Sequence, residues 1–122
     1  MAFDFDSARR HCQGIRLLIV LNAGGSRNEE VFAKLRARRR AAASFMDDET
    51  CRQHLNAVER SGHDLYSDDG HRRWGQLGLS GAAVLRLHML GELDACNDRL
   101  VELEAGRVAR AENGEQPGAR RP

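Results

Sequence analysis

The sequence feature that most constrains the fold is a stripe of apolar residues in the last third of the chain. Its members are separated by four, four, three, four and three residues: Leu85, Met89, Leu93, Cys96, Leu100 and Leu103. This spacing places all six side chains on one face of a long helix that begins at Ser80. Such a face must pack on a partner, so the sequence predicts a largely helical protein and a homodimer formed through this stripe. Packing on the same chain is the alternative.

The composition fits one small domain built mainly from helices. The chain has 122 residues, of which 41% are hydrophobic and only 5% aromatic, so aliphatic side chains must supply most of the packing. This length buries enough surface for a single core. From Gly106 onward the apolar pattern fades. We therefore expect residues 1–105 to form the domain and residues 106–122 to form a disordered tail.

Cysteine usage and hydropathy bear on the compartment. The three cysteines are an odd number scattered along the chain, which is typical of a reducing environment. No apolar run is long enough to span a bilayer, and the acidic start, with Asp4 and Asp6, does not resemble a signal peptide. We expect a cytoplasmic protein without a membrane partner.

Start and stop signals divide the rest of the chain. Apolar spacing predicts helix one over about 7–22, followed by Gly24 and Gly25. A capping box at Ser26 begins helix two, which ends near residue 43, and Asp47 or Asp48 begins helix three, which ends at Gly62. Residues 64–77, with a turn at 67–70, are predicted to form a small hairpin.

This order of elements resembles a winged helix, in which helices two and three form a helix-turn-helix and the hairpin is the wing. Residues 48–66 are similar to a recognition helix followed by a wing strand, and residues 76–85 to the segment that enters the last helix. The start of helix two, Asn28-Glu29-Glu30-Val31, resembles that of small winged-helix proteins of Mu-like phages. The resemblance covers about 7–90. It implies a mainly α fold with a small β-hairpin, a winged helix-turn-helix followed by a long C-terminal helix.

The resemblance also implies a DNA-binding transcriptional regulator of phage or prophage type. The polar face of helix three would read bases in the major groove through Arg52, Gln53, Asn56 and Arg60. The arginine run of helix two would contact phosphates through Arg36, Arg38, Arg39 and Arg40. The wing would add His71, Arg72 and Arg73. The alternative for the two helical groups is an ordinary solvated surface, and Asp68 and Asp69 beside the wing would repel phosphate.

Two other functions compete with DNA binding. The formal net charge is only +1, which favours a protein-interaction adaptor that docks a partner through the C-terminal helix. Cys51 and His54 lie on one helical turn and suggest a metal- or redox-responsive repressor, although no complete ligand set is present. Gly24-Gly25 lacks the rest of a nucleotide-binding motif. We therefore expect no cofactor, no metal and no enzyme activity.

Overall fold

The computed structural model describes residues 3–22, 28–74 and 78–112. Five helices occupy these ranges: α1 (Phe5–Leu21), α2 (Glu29–Ser44), α3 (Glu49–Tyr66), α4 (Asp68–Trp74) and α5 (Leu79–Glu112). The described ranges contain no β-strand. The expectation of a mainly α protein is confirmed, and no helix in these ranges has the length and hydropathy needed to cross a bilayer.

Four of the helices form an up-down-up-down bundle with the ring order α1, α2, α3 and α5. Neighbouring helices are antiparallel, as the ion pairs between α1 and α5 illustrate. Arg9 near the start of α1 pairs with Glu104 near the end of α5, and Arg16 pairs with Asp94 further back along α5. The short helix α4 lies in the connection between α3 and α5 and packs on α3.

Capping residues explain where α1, α2 and α3 begin. The side chain of Asp4 accepts from the amide of Ser7 at 3.0 Å, and Asp48 accepts from the amide of Cys51 at 3.0 Å. Asn28 caps α2 in the same way, whereas the capping box predicted at Ser26 lies outside the described residues. Each cap satisfies an amide that the first turn of a helix leaves without a partner.

The core is the centre of the bundle, and the predicted apolar stripe of α5 fills one side of it. Met89, Leu93, Cys96 and Leu100 are at most 2% exposed. They belong to one buried cluster with side chains from the other bundle helices, including Ile15, Ile19, Leu35, Leu55 and Val58. The stripe therefore has its partner within the same chain.

The winged-helix prediction is wrong, because the residues expected to form the wing are helical. Helix α3 continues past Gly62 to Tyr66, and residues 68–74 form α4, while residues 75–77 lie outside the described part. Gly62 lies where α3 crosses α2: a Cβ there would be 2.9 Å from Cδ1 of Leu35. A Cβ on Gly70 would be 2.1 Å from the carbonyl oxygen of His63. Both glycines permit close helix packing; Gly62 does not end α3, and Gly70 does not form a turn between strands.

The last helix is longer than the sequence predicted. It begins at Leu79, so Ser80 lies inside it, and it continues through residues 106–112, which were assigned to the tail. Residues 113–122 lie outside the described part of the chain.

Candidate nucleic-acid interface

Helices α2 and α3 pack side by side and bring several predicted DNA-binding residues together. Arg39 of α2 donates from Nε to Oε1 of Glu59 at 2.5 Å and from Nη1 to Oδ1 of Asn56 at 3.5 Å. Nε of Arg36, one turn earlier, lies 4.0 Å from Oε2 of Glu59. These contacts hold arginines of α2 against the outer face of α3.

The neighbouring positions on the same face are open to solvent. Arg40 follows Arg39 along α2, and Gln53 and Arg60 lie one helical turn on either side of Asn56; all three side chains are exposed. Among the described residues, neither Arg40 nor Arg60 has a hydrogen bond or ion pair to a carboxylate. We call this set the α2–α3 basic surface: Arg36, Arg39, Arg40, Gln53, Asn56, Glu59 and Arg60.

The charge of this surface differs from that of the whole chain. Its four guanidinium groups and one carboxylate, four positive charges less one negative, give a local net charge of +3. The whole chain carries only +1. Glu59 orients Arg36 and Arg39 without neutralising the surface. Glu59 was not predicted from the sequence, because the register of α2 against α3 decides which carboxylate faces the arginines.

Arg38 does not belong to this surface, although it lies in the same arginine run. It lies on the side of α2 that faces α1, where its Nη1 is 3.2 Å from Nδ1 of His11. Its guanidinium crosses Gly14 so closely that a Cβ there would be 2.9 Å from Nε of Arg38. Burial, and then the charge of Arg38, lower the pKa of His11 and favour its neutral form at pH 7.

Arg52 and the residues predicted for the wing do not belong to the α2–α3 basic surface either. Nη2 of Arg52 lies 2.8 Å from Oε2 of Glu49, and Asp47 is a second acidic neighbour at 3.5 Å. The hydrogen bond to Glu49 raises the pKa of Arg52. In α4, Arg72 pairs with Asp69 at 3.3 Å. The side chains of His71 and Arg73 lie outside what the structure describes.

The stripe predicted to form a dimer seam is packed inside the bundle. Met89, Leu93, Cys96 and Leu100 are buried in the chain's own core, and Leu85 and Leu103 are partly buried against it. A second copy has no access to these side chains while the bundle is folded.

The cysteine and histidine pair suggested as a metal site has other contacts. Cys51 is fully buried, and Nδ1 of His54 lies 2.5 Å from Oε2 of Glu92 in α5. Sγ of Cys96 lies 4.0 Å from the carbonyl oxygen of Cys51. Hydrogen bonds with the other two thiols, and burial, raise the pKa of Cys96 and keep it a protonated thiol. Within the described ranges no three potential ligands are grouped for a metal ion.

A groove of about 490 Å³ is lined by residues of α1 and α2. Its floor is apolar, with Leu17, Leu18 and Leu21 on one side and small alanines on the other. Arg38 and Lys34 also line the groove, and Nζ of Lys34 lies 3.2 Å from Oε1 of Glu30. Leu17 and Leu21 are 57% and 77% exposed, so this groove is an apolar surface open to solvent.

The chain matches no protein-family model, no curated protein and no solved structure. Its function is therefore inferred from its surfaces. The α2–α3 basic surface and the groove between α1 and α2 are the two candidates described above, and their chemistry differs. The surface offers guanidinium groups, whereas the groove offers an apolar floor.

Proposed function

We propose that the protein is a cytoplasmic DNA-binding protein and that the α2–α3 basic surface contacts the DNA. The observation that carries the proposal is the local charge of +3 on a chain whose total is only +1. Phosphate attraction supplies most of the affinity of nucleic-acid-binding proteins and depends on local rather than total charge. The free thiols of Cys12, Cys51 and Cys96 support a reducing compartment.

The residues of the surface divide into two roles. Arg40 and Arg60 are exposed and lack a carboxylate partner among the described residues, so their guanidinium forks are free to bind phosphate oxygens. Arg39 is held by its hydrogen bond to Glu59 and loses less side-chain freedom on binding, while Arg36 lies at the 4.0 Å limit of an ion pair with the same carboxylate. Gln53 and Asn56 lie along α3 on the same surface and present carboxamides, which pair with adenine in the major groove. A base preference from these two amides would suit a transcriptional regulator.

The first test is the salt dependence of binding to random-sequence duplex DNA. Four phosphate contacts predict that log K falls with log salt with a slope of about −3 to −4. The double variant Arg40→Ala with Arg60→Ala should make that slope shallower by about 2. Arg72→Ala is the matched control, because it removes an exposed arginine that is paired with Asp69 on another helix.

Two results would contradict the proposal. One is the absence of detectable binding at about 50 mM salt, where phosphate attraction is strong. The other is an equal loss of affinity in the Arg72→Ala control, which would mean that positive charge in general, and not the α2–α3 basic surface, governs binding. If DNA is bound, Gln53→Ala with Asn56→Ala should keep the salt slope and remove any preference among sequences.

The groove between α1 and α2 supports a second candidate, a protein-interaction adaptor. Its lining runs from His11 to Leu21, eleven residues that rise about 15 Å along α1, which is long enough for the roughly 10.5 Å over which a docked helix presents anchors at i, i+3 or i+4 and i+7. An apolar floor with Arg38 in its lining complements an amphipathic helix that carries an acidic residue, whereas the charge of Lys34 is offset by Glu30. A synthetic peptide of that type should bind the protein, and Leu17→Glu should abolish the binding. Arg60→Ala should leave it unchanged.

A further inference from the structure

The long helix α5 carries a second ladder of regularly spaced residues, on its outer face. This outer ladder runs from Ser80 to Glu112 in alternating steps of four and three residues, and every position in it is exposed. It includes each large hydrophobic side chain that the structure describes as exposed on α5: Val84, Leu87, Val101 and Val108. Val84 and Leu87 are 64% and 69% exposed. Exposed apolar residues are therefore gathered on one line of the helix rather than scattered.

The spacing and the length of α5 both indicate a helical partner. A strict repeat of seven residues keeps one line of a helix in contact with a second helix when the two wind around each other. Helix α5 has 34 residues and is about 51 Å long, whereas its neighbours α1 and α3 have 17 and 18 residues and are about half as long. The bundle occupies the inner face of α5 and leaves the outer ladder open.

The outer ladder has apolar residues or glycine at equal distances on both sides of Cys96. Val84 and Val108 are each twelve residues from Cys96. Leu87 and Ala105 are each nine residues away, and Gly91 and Val101 are each five away. When the ladder is reversed about Cys96, its apolar positions therefore meet one another, with a larger side chain facing a smaller one at two of these three levels. At the remaining levels Asp94 meets Asp98 and Ser80 meets Glu112.

We infer that two copies of the protein associate through an antiparallel pair of α5 helices centred on Cys96. Val84 then faces Val108 of the second copy, Leu87 faces Ala105 of the second copy, and Val101 fills the space over Gly91 of the second copy. No heavy atom lies within 4 Å of a Cβ placed on Gly91, so that space is open in the single chain. Apolar pairs of this kind, large against small, are how packed helices interdigitate.

The centre of this interface is acidic, so formation of the dimer depends on the salt concentration. Asp94 faces Asp98 of the second copy, so four carboxylates meet at the midpoint. Arg16 of α1 pairs with Asp94 in each copy and offsets two of them. The remaining charge of −2 opposes association at low salt. Salt screens such repulsion, since the Debye length falls from about 30 Å at 0.01 M to about 8 Å at 0.15 M.

This interface is independent of DNA binding, and salt separates the two. In the ring of helices α5 lies diagonally across from α2, and the contact leaves the α2–α3 basic surface of both copies open. Salt is expected to strengthen the dimer and to weaken binding to DNA. Failure of one proposal therefore leaves the other standing.

The experiment is sedimentation of the full chain over a range of concentrations at about 50 mM and about 500 mM salt. We expect a shift toward the mass of a dimer at the higher salt. Leu87→Glu should raise the dissociation constant of the dimer by at least about tenfold, because a carboxylate would lose its water against Ala105 of the second copy. Leu17→Glu, which places the same charge at an exposed apolar position of α1, should leave it unchanged. Asp98→Asn should strengthen the dimer at low salt.

Cross-linking tests the antiparallel arrangement. Under mild oxidation, Gly91→Cys with Val101→Cys should join two copies covalently, whereas Ala105→Cys alone should not, because residue 105 meets its own counterpart only in a parallel pair. Circular dichroism verifies that each variant remains folded, which is expected because every substituted position is exposed. A chain that stays monomeric at high salt and high concentration would overturn the inference. So would efficient cross-linking of Ala105→Cys.

Discussion

Asp48 caps α3 and also pairs with Arg99 of α5. The contributions of the cap and of the ion pair to stability can be measured separately. Its Oδ2 accepts from the amide of Cys51, and its carboxylate also accepts two hydrogen bonds from Arg99 of α5, at 3.1 and 3.0 Å. The hydrogen bonds from Arg99 are the main reason that the pKa of Asp48 falls from 3.8 to about 2. Asp48→Asn keeps an acceptor that caps helices about as well, so the substitution removes chiefly the charge.

The size of the effect follows from the pKa of Asp48. A pKa lowered from 3.8 to about 2 corresponds to about 2 kcal/mol of stability. The side chain of Asp48 is only 12% exposed, but Arg99 is 36% exposed and partly hydrated. We therefore expect Asp48→Asn to lower the free energy of unfolding by about 1 to 2 kcal/mol at neutral pH. Asp48→Ala, which also removes the cap, should cost about 1 kcal/mol more.

The same pKa determines how the difference depends on pH. Because the pKa is lower in the folded chain than in the unfolded chain, the stabilisation is complete above about pH 4 and is lost as the pH falls through about 2. Urea unfolding of wild type and Asp48→Asn at about pH 7 and about pH 2.5 measures this difference. Asp47→Asn, at a neighbouring and exposed aspartate, is the control. A difference between wild type and Asp48→Asn that is the same at both pH values would refute the reasoning.

Three further substitutions test the packing. Tyr66 is fully buried, and its hydroxyl has no hydrogen-bond partner among the described residues. Tyr66→Phe should therefore leave the free energy of unfolding unchanged or raise it by up to about 1 kcal/mol. A clear loss of stability would indicate that the hydroxyl is bonded. Gly70→Ala places a Cβ against the backbone of His63 and should lower the thermal midpoint, at a cost of about 1 to 3 kcal/mol; an unchanged midpoint would contradict the close approach of α4 to α3. Leu100→Ala should cost about 2 to 5 kcal/mol in urea unfolding, since the side chain is fully buried, and a cost below about 1 kcal/mol would place it outside the core.

Local signals in the sequence determined much of the helical pattern. Asp48 was predicted as a possible N-cap of the third helix and is one, because a cap depends only on residues within one turn. The apolar stripe from Leu85 to Leu103 was predicted to lie on one helical face that needs a partner, and it lies on one face of α5. Periodicity alone could not say whether that partner is the same chain or a second copy, since burial imposes the same spacing in both cases.

The tertiary structure decided the features that depend on contacts distant in sequence. A glycine carries the same local signal whether it ends a helix, as predicted for Gly62, forms a turn, as predicted for Gly70, or admits a neighbouring helix. Only the positions of Leu35 and of the His63 carbonyl show that both glycines admit a neighbour. The tertiary structure also decides which arginines lie on a common surface. Arg38 and Arg39 are adjacent in sequence, but one lies against α1 and the other against Glu59 of α3. The register between antiparallel helices sets these partners, and helix propensity carries no information about that register.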